Sequence, residues 1–279
     1  MTSEEIKYLL QRYSLAPNKL RGQNFLLNEN ILDDIVVSAQ IKKSDLILEI
    51  GPGLGALTQK LASQAQQVIA LELDHNFEQP LKKIANISQN IEVVWQDILS
   101  LSPRQWQDIL AKYRKQNYKV VANIPYYLTG KLIQKFMLFD PAPESMTLLV
   151  QKEVAERIVA RDQKMSLLSL AVHFYGQAKI GGLVTRDNFY PVPAVDSAIL
   201  QIVDIQKWSY SVDEKKTWQL IKRGFAQKRK KLFNNLLSDQ NIEKDKLQRA
   251  FEQLNISTNV RAENLTTKNW IALAKILFS

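Results

Sequence analysis

The chain has 279 residues, 46% of them apolar, and a formal charge of +9, enough to fill the core of one large or two modest domains. It has no cysteine and only two histidines, His75 and His173, which excludes disulfides, zinc–thiolate centres, cysteine nucleophiles and a histidine-based metal cluster. The positive balance favours a polyanionic partner, nucleic acid before membrane surface.

Residues 1–44 read as a helical arm carrying one loop of unusual composition, residues 19–27. The start, with Glu4 and Glu5, has the layout of neither a signal nor a transit peptide. No apolar run is long enough for a transmembrane helix. A cytoplasmic protein without a metal is the expectation. From residue 45 to 207, short β-rich runs alternate with helical periods such as 56–63 and 131–138. Strands are expected at 46–50, 68–73, 91–95, 119–123, 146–150, 179–184 and 198–203, the sixth weakened by Gly181 and Gly182. Alternation of this kind predicts βαβ units and a mainly parallel seven-stranded sheet. Such sheets bind ligands at the carboxyl ends of their strands. From 208 to 279 strand signals stop, and helical periods at 213–226, 229–237, 243–254 and 267–278 predict a small all-α domain, joined near 206–211.

The first strand runs into Glu49-Ile50-Gly51-Pro52-Gly53-Leu54-Gly55 and then a helix. Gly51 and Gly53 allow the tight turn and close backbone approach that a bound ligand needs. Glu72, at the end of the second strand, is placed to hydrogen-bond ribose hydroxyls. Gly51-x-Gly53-x-x-Ala56 also satisfies a relaxed dinucleotide fingerprint, so the turn alone leaves a nicotinamide dehydrogenase open. Two further acids favour S-adenosyl-L-methionine. Glu49 sits where methyltransferases keep an acid near the cofactor's amino-acid end, and Asp97, after the third strand, can accept from the adenine amino group.

The strand at 119–122 ends in Asn123-Ile124-Pro125-Tyr126. The exocyclic nitrogen of adenine is a poor nucleophile because its lone pair is delocalised into the ring. The amide oxygen of Asn123 and the carbonyl of Ile124 can accept its two protons, drawing the nitrogen towards sp³ geometry. Pro125 sets the turn, and Tyr126 offers a face to an unstacked base. A sulfonium methyl donor calls for alignment and electrostatic complementarity more than for a strong base. Phe189, in Asn188-Phe189-Tyr190-Pro191-Val192-Pro193, is a second stacking candidate, with simple packing as the competing reading. Between 222 and 231 lie Lys222, Arg223, Lys228, Arg229, Lys230 and Lys231 with no acid. A solvated helix face is the plain reading of such a run. Leu220, Ile221, Gly224 and Phe225, however, give it an apolar side to dock, which makes the basic side chains candidates for RNA contact.

Together these motifs resemble the rRNA adenine N6,N6-dimethyltransferases, and most closely their bacterial small-subunit branch. Gly22-Gln23-Asn24-Phe25-Leu26 is similar to that family's cofactor-covering loop, and Leu71-Glu72-Leu73-Asp74 to its second cofactor motif. Asn123–Tyr126 is similar to its catalytic box. Val150–Arg157, Val195–Ala198, Phe225–Leu236 and Arg261–Leu265 extend the likeness over nearly the whole chain. Departures are Leu128-Thr129-Gly130 after the box, and Lys164-Met165-Ser166-Leu167-Leu168-Ser169 where the family often has Tyr-Gly-x-Leu-Ser. The resemblance implies a Rossmann-like S-adenosylmethionine methyltransferase fold with a small C-terminal all-α domain. It implies cofactor contacts from Asn24, Leu26, Gly51, Glu72, Asp97 and Asn123. It implies a monomer that binds neither metal nor membrane and acts on 16S rRNA in the small ribosomal subunit or its precursor. The target would be two adjacent adenosines in the loop of the 3′-terminal hairpin. A 23S rRNA dimethyltransferase and a non-catalytic RNA-binding relative are the competing readings.

Overall fold

The computed structural model describes residues 3–18, 22–114, 117–160, 165–238 and 242–278. Residues 19–21 of the expected loop, and Lys164 of the departing segment, lie outside them. The chain opens with α1 (Ser3–Arg12), β1 (Phe25–Leu26) and α2 (Glu29–Ser38). It then alternates through β2 (Leu46–Ile50), α3 (Ala56–Gln64), β3 (Gln67–Glu72), α4 (Glu78–Ser88), β4 (Ile91–Trp95), α5 (Pro103–Ala111), β5 (Lys119–Asn123), α6 (Thr129–Met137) and β6 (Ser145–Gln151). Next come α7 (Lys152–Val159), α8 (Leu167–Tyr175), β7 (Gln177–Val184), β8 (Phe189–Tyr190) and β9 (Ser197–Val203). The remaining long elements are helical: α9 (Glu214–Gly224), α10 (Leu232–Leu237), α11 (Lys244–Gln253) and α12 (Thr267–Phe278).

The chain divides into two units, Met1–Ala155 with Gly176–Ile205, and Glu156–Tyr175 with Gln206–Ser279. In the first, seven strands lie in the order β4-β3-β2-β5-β6-β9-β7. Pairings from β4 to β6 are parallel, and β9 runs antiparallel to both β6 and β7. All five positions of β2 are buried, because helices cover both faces of a parallel sheet and leave no wet side for alternation. Ile47, Val68, Val121 and Leu149 of the sheet share one core with Leu57 and Leu61 of α3 and Leu32 and Ile35 of α2. The doubted sixth strand forms, with a register irregularity between Ile180 and Gly182. The chain leaves β2 towards β3 on one side and β5 towards β6 on the other. The crevice between β2 and β5 is therefore the switch point where such sheets bind ligands.

One pairing was not expected. β1 and β8 form a separate antiparallel ribbon, Phe25 opposite Tyr190 and Leu26 opposite Phe189. Each strand is two residues long, too short for a period to register, and the partners are more than 160 positions apart. The expected arm 1–44 belongs to the first unit. Its α1 buries Ile6 and Leu10 against Leu54, Phe77 and Leu81.

In the second unit, α8 joins the tail helices although sequence periodicity grouped it with the alternating region. The Tyr175 hydroxyl donates to Glu214 and accepts from Trp218 Nε1 at 3.0 Å, and Tyr175 O accepts from Gln206 N at 2.8 Å. The Phe174 ring packs 5.2–5.6 Å from Trp208, Trp218 and Tyr210. Gly224 closes α9 against α12. A Cβ there would lie 2.5 Å from the ring of the fully buried Trp270 and 2.8 Å from Leu232.

Candidate active site

The carboxyl ends of β2, β3, β4 and β5 open onto one cleft, enclosing about 1200 Å³ of space continuous with solvent. Gly51, Gly53, Glu49, Glu72, Asp97, Asn123, Ile124, Pro125, Tyr126, Asn24 and Leu26 all line it. Residues of five separate segments thus meet, as the strand-end argument requires. Gly51 has φ +68°, and nothing lies within 4 Å of where its Cβ would be. The backbone here is in the region that disfavours side chains, and the space a side chain would take is left to the cleft. The next helix, α3, starts at Gly55, which provides no side-chain cap. Its first amides therefore receive no side-chain cap.

The acids differ in environment. Glu72 Oε1 accepts from Leu73 N at 2.9 Å and Asp74 N at 2.8 Å, and its Oε2 accepts from Gly53 N at 3.1 Å. Burial nevertheless holds its pKa above the ordinary carboxylate value, with the three backbone N–H bonds opposing that rise. Three of about four acceptor positions are occupied. Glu72 can therefore take one ribose hydroxyl as it stands, and a second only if the Gly53 bond opens. Glu49 is 2% exposed, and its Oε2 has no hydrogen-bond partner. Burial pushes its pKa up to about 8, the nearby Thr58 hydroxyl offsetting part of the rise and the Glu72 carboxylate adding to it. Asp97 Oδ1 accepts from Leu99 N at 2.8 Å, leaving Oδ2 to accept from a ligand.

Asn123 Nδ2 donates to Asn24 O at 3.3 Å. The amide is thereby oriented, with its nitrogen committed to the covering loop and its oxygen left as the acceptor. Tyr126 is half-buried with its hydroxyl 2.8 Å from Ser197 Oγ, and burial raises its pKa above the usual phenol value. Phe189 is not brought to the cleft. Its ring is 1% exposed, in the core with Leu26, Leu149 and Ile199. Paired opposite Leu26, it packs under the covering loop instead of presenting a face to a base, so the packing reading of this aromatic beside prolines is the one its placement fits. Residues not singled out from the sequence also line the cleft: Gln23 and Asp74, which lie within the quoted motifs, and Ile98 and Tyr127. Gln23 Nε2 donates to Asp74 Oδ2 at 3.2 Å, tying the covering loop to the segment after β3. Asp74 closes the Leu71-Glu72-Leu73-Asp74 motif but was given no role of its own there. Tyr127 is 58% exposed.

A family model described as ribosomal RNA adenine dimethylase matches residues 16–278. The chain belongs to the ribosomal RNA adenine dimethylase family. It is 38% identical over 269 residues to a ribosomal RNA small subunit methyltransferase A of Dehalococcoides mccartyi, covering 95% of this chain and 90% of that one. The crystal structure of a dimethyladenosine transferase from Plasmodium falciparum superposes with a TM-score of 0.72 at 28% identity, covering 89% of this chain and 95% of that one. That of the 23S rRNA methyltransferase ErmE gives 0.71 at 23%, covering 91% and 100%, a likeness of fold. The ribosomal RNA adenine dimethylases use S-adenosyl-L-methionine. The cleft fits that group: it has a backbone cradle at Gly51, a buried carboxyl at Glu49 with one oxygen unpartnered, and acids at three successive strand ends. Among the described residues no cluster suited to a metal ion occurs, and no helix is long and apolar enough to cross a membrane.

The six basic candidates, Lys222, Arg223, Lys228, Arg229, Lys230 and Lys231, are all exposed in the second unit. Lys222 and Arg223 are on α9. The other four lie on a turn rather than on the helix expected from 229, since Lys230 N bonds Gln227 O and α10 begins at Leu232, whose N bonds Val260 O. Asn235 Nδ2 donates to Gly224 O at 2.6 Å and Gln227 O at 3.1 Å, holding the turn in place.

Proposed function

We propose that this family member transfers methyl groups from S-adenosyl-L-methionine to N6 of two adjacent adenosines in the loop of the 3′-terminal hairpin of 16S rRNA. It would carry each to the dimethylated state during small-subunit biogenesis. The observation that carries the reading is the Asn123–Tyr126 box at the end of β5, with an oriented amide beside the glycine turn of β2. Glu72 would hold the ribose, Asp97 the adenine, and Glu49 the ammonium of the amino-acid end. Gly51, Gly53, Asn24 and Leu26 would shape the walls. When bound, the cofactor supplies an activated methyl group. Asn123 Oδ1 and the Ile124 carbonyl accept the two protons of the target amino group and localise its lone pair. Pro125 fixes the turn that carries that carbonyl. Tyr126, its hydroxyl held by Ser197, keeps its ring in a fixed plane for the flipped base. No strong base is required, because the nitrogen sheds its proton only after it has been alkylated.

The small-subunit relative at 38% identity supports this target over a 23S site. Incubation with methyl-labelled cofactor and small subunits lacking the modification is expected to label that adenosine pair. Label on 23S rRNA, or at another adenosine, would overturn the target.

The basic cluster is assigned to RNA. Phosphate contacts release counterions, so affinity depends on salt. Changing Lys228, Arg229, Lys230 and Lys231 to alanine should weaken RNA binding and flatten the plot of log K against log salt by about 0.7–0.9 per lost contact. Cofactor affinity should stay unchanged. Parent slope and affinity in a folded variant would leave the cluster as solvated charge.

A further inference from the structure

Lys135 is a cation with an unusual post. It is on α6, the helix that follows the Asn123–Tyr126 box, on the side next to the buried Phe136. Its ammonium donates to Leu99 O and Leu101 O, each at 2.7 Å. It also sits 5.2 Å from the centre of the Phe139 ring. The two carbonyls belong to the segment between β4 and α5 that carries Asp97. The same segment is held locally by Leu99 N to Asp97 Oδ1 at 2.8 Å, by Ser100 N to Asp97 O at 3.0 Å and by Ser100 Oγ to Asp97 O at 2.9 Å. Those three bonds fix the shape of the turn around Asp97. None of them fixes where the turn stands relative to the rest of the cleft. Gln96 N, donating to Glu72 O at 3.0 Å, ties the start of the turn to β3, and the two bonds from Lys135 tie its far end to α6, the helix that follows the catalytic box.

We infer that Lys135 is a positioning residue. It clamps the Asp97 turn to α6 and so holds the cofactor's adenine pocket in its binding geometry. Charge-assisted bonds to two carbonyls of one turn are strong and directional, and they constrain both ends of the three-residue span from Leu99 to Leu101. Burial lowers the pKa of the ammonium, and the Asp97 carboxylate offsets part of that effect. The charge of Asp97 thus helps to retain the clamp that positions it.

The inference rests on the assignment of the adenine amino group to Asp97, and the test separates the two. Binding of S-adenosylhomocysteine and of its inosine counterpart, which has an oxygen in place of the amino group, is measured by calorimetry on the full chain, wild type and Lys135→Met. The wild type should prefer the adenine compound by at least about tenfold, the worth of one hydrogen bond to a charged group. Lys135→Met should weaken the adenine compound by about the size of the wild-type preference, roughly tenfold, while barely altering the inosine compound, so that the preference collapses. The turnover number at saturating cofactor should change far less than the Michaelis constant for the cofactor. If the wild type shows no preference, the Asp97 assignment falls and this inference with it. If the wild type shows the preference and a folded Lys135→Met keeps it, Asp97 stands and the clamp is wrong. Should the methionine variant not fold, Lys135→Gln, which retains one donor, is read by the same ratio.

Discussion

Replacing Asn123 by alanine is expected to slow methyl transfer by on the order of 10²–10³-fold, the usual cost of removing one preorganised group that acts on a developing transition state. The side chain has two jobs, and they separate cleanly. Its nitrogen is spent on Asn24 O at 3.3 Å. That bond is long and neutral, and losing it should change cofactor affinity by less than about tenfold. Its oxygen is the acceptor that the target amino group needs, and alanine leaves that proton without a partner. Single-turnover rates at saturating cofactor and RNA report the second job, and calorimetric affinity for S-adenosylhomocysteine reports the first. A single-turnover rate within about tenfold of the parent would remove Asn123 from the mechanism. A large loss of cofactor affinity with an intact rate would make it a strut for the covering loop.

The second large effect is expected at Glu49. Its folded pKa of about 8 lies above the ordinary value of 4.5, chiefly through burial. Between those values the folded chain holds a proton that the unfolded chain has released. Stability then falls as pH rises through this window and levels off above the folded value. The full penalty is on the order of 4–5 kcal/mol. Glu49→Gln keeps the shape without the charge, so it should match the parent near pH 4 and exceed it above pH 8. At about 2–4 °C per kcal/mol, the gap in melting temperature of the ligand-free protein should reach roughly 10 °C. A gap that does not grow with pH would show that Glu49 ionises freely. The same carboxyl makes a prediction for the ligand. An ammonium placed beside it would favour its ionised form, so cofactor binding at pH 7 should release close to one proton. Calorimetry in buffers of different ionisation enthalpy measures that release. Glu49→Gln should abolish the release and weaken binding together.

Much of the first unit was legible because its signals are local. Burial on both faces turns a parallel strand into an unbroken apolar run, as in β2, and a ligand at its end demands glycine, as at Gly51. Glu49, Glu72, Asp97 and Asn123 each lie within two residues of the carboxyl end of a strand. The parallel order of the sheet therefore brings them to one cleft without further information. The basic run could be read in the same way, since six cations without an acid need no partner to be noticed.

What the tertiary structure alone decided involves partners far apart in the chain. The ribbon between Phe25–Leu26 and Phe189–Tyr190 has no periodicity of its own, and it puts Phe189 in the core rather than over the substrate. The attachment of α8 to the tail depends on the hydroxyl of Tyr175 finding Glu214 and Trp218, which spacing cannot foretell. The end of α9 and the delayed start of α10 depend on Gly224 meeting Trp270 and on Leu232 bonding Val260. Protonation belongs to the same class. Glu49 and Glu72 are the same residue type at neighbouring strand ends, but Glu72 is met by three backbone amides and Glu49 keeps an oxygen with no partner. Residue type and local spacing determined that the strand-end acids, the glycine turn and the Asn123–Tyr126 box reach the cleft. Long-range packing decided which of them are charged, which are held still and which are walled off, because desolvation and hydrogen-bond partners exist only once distant segments have met.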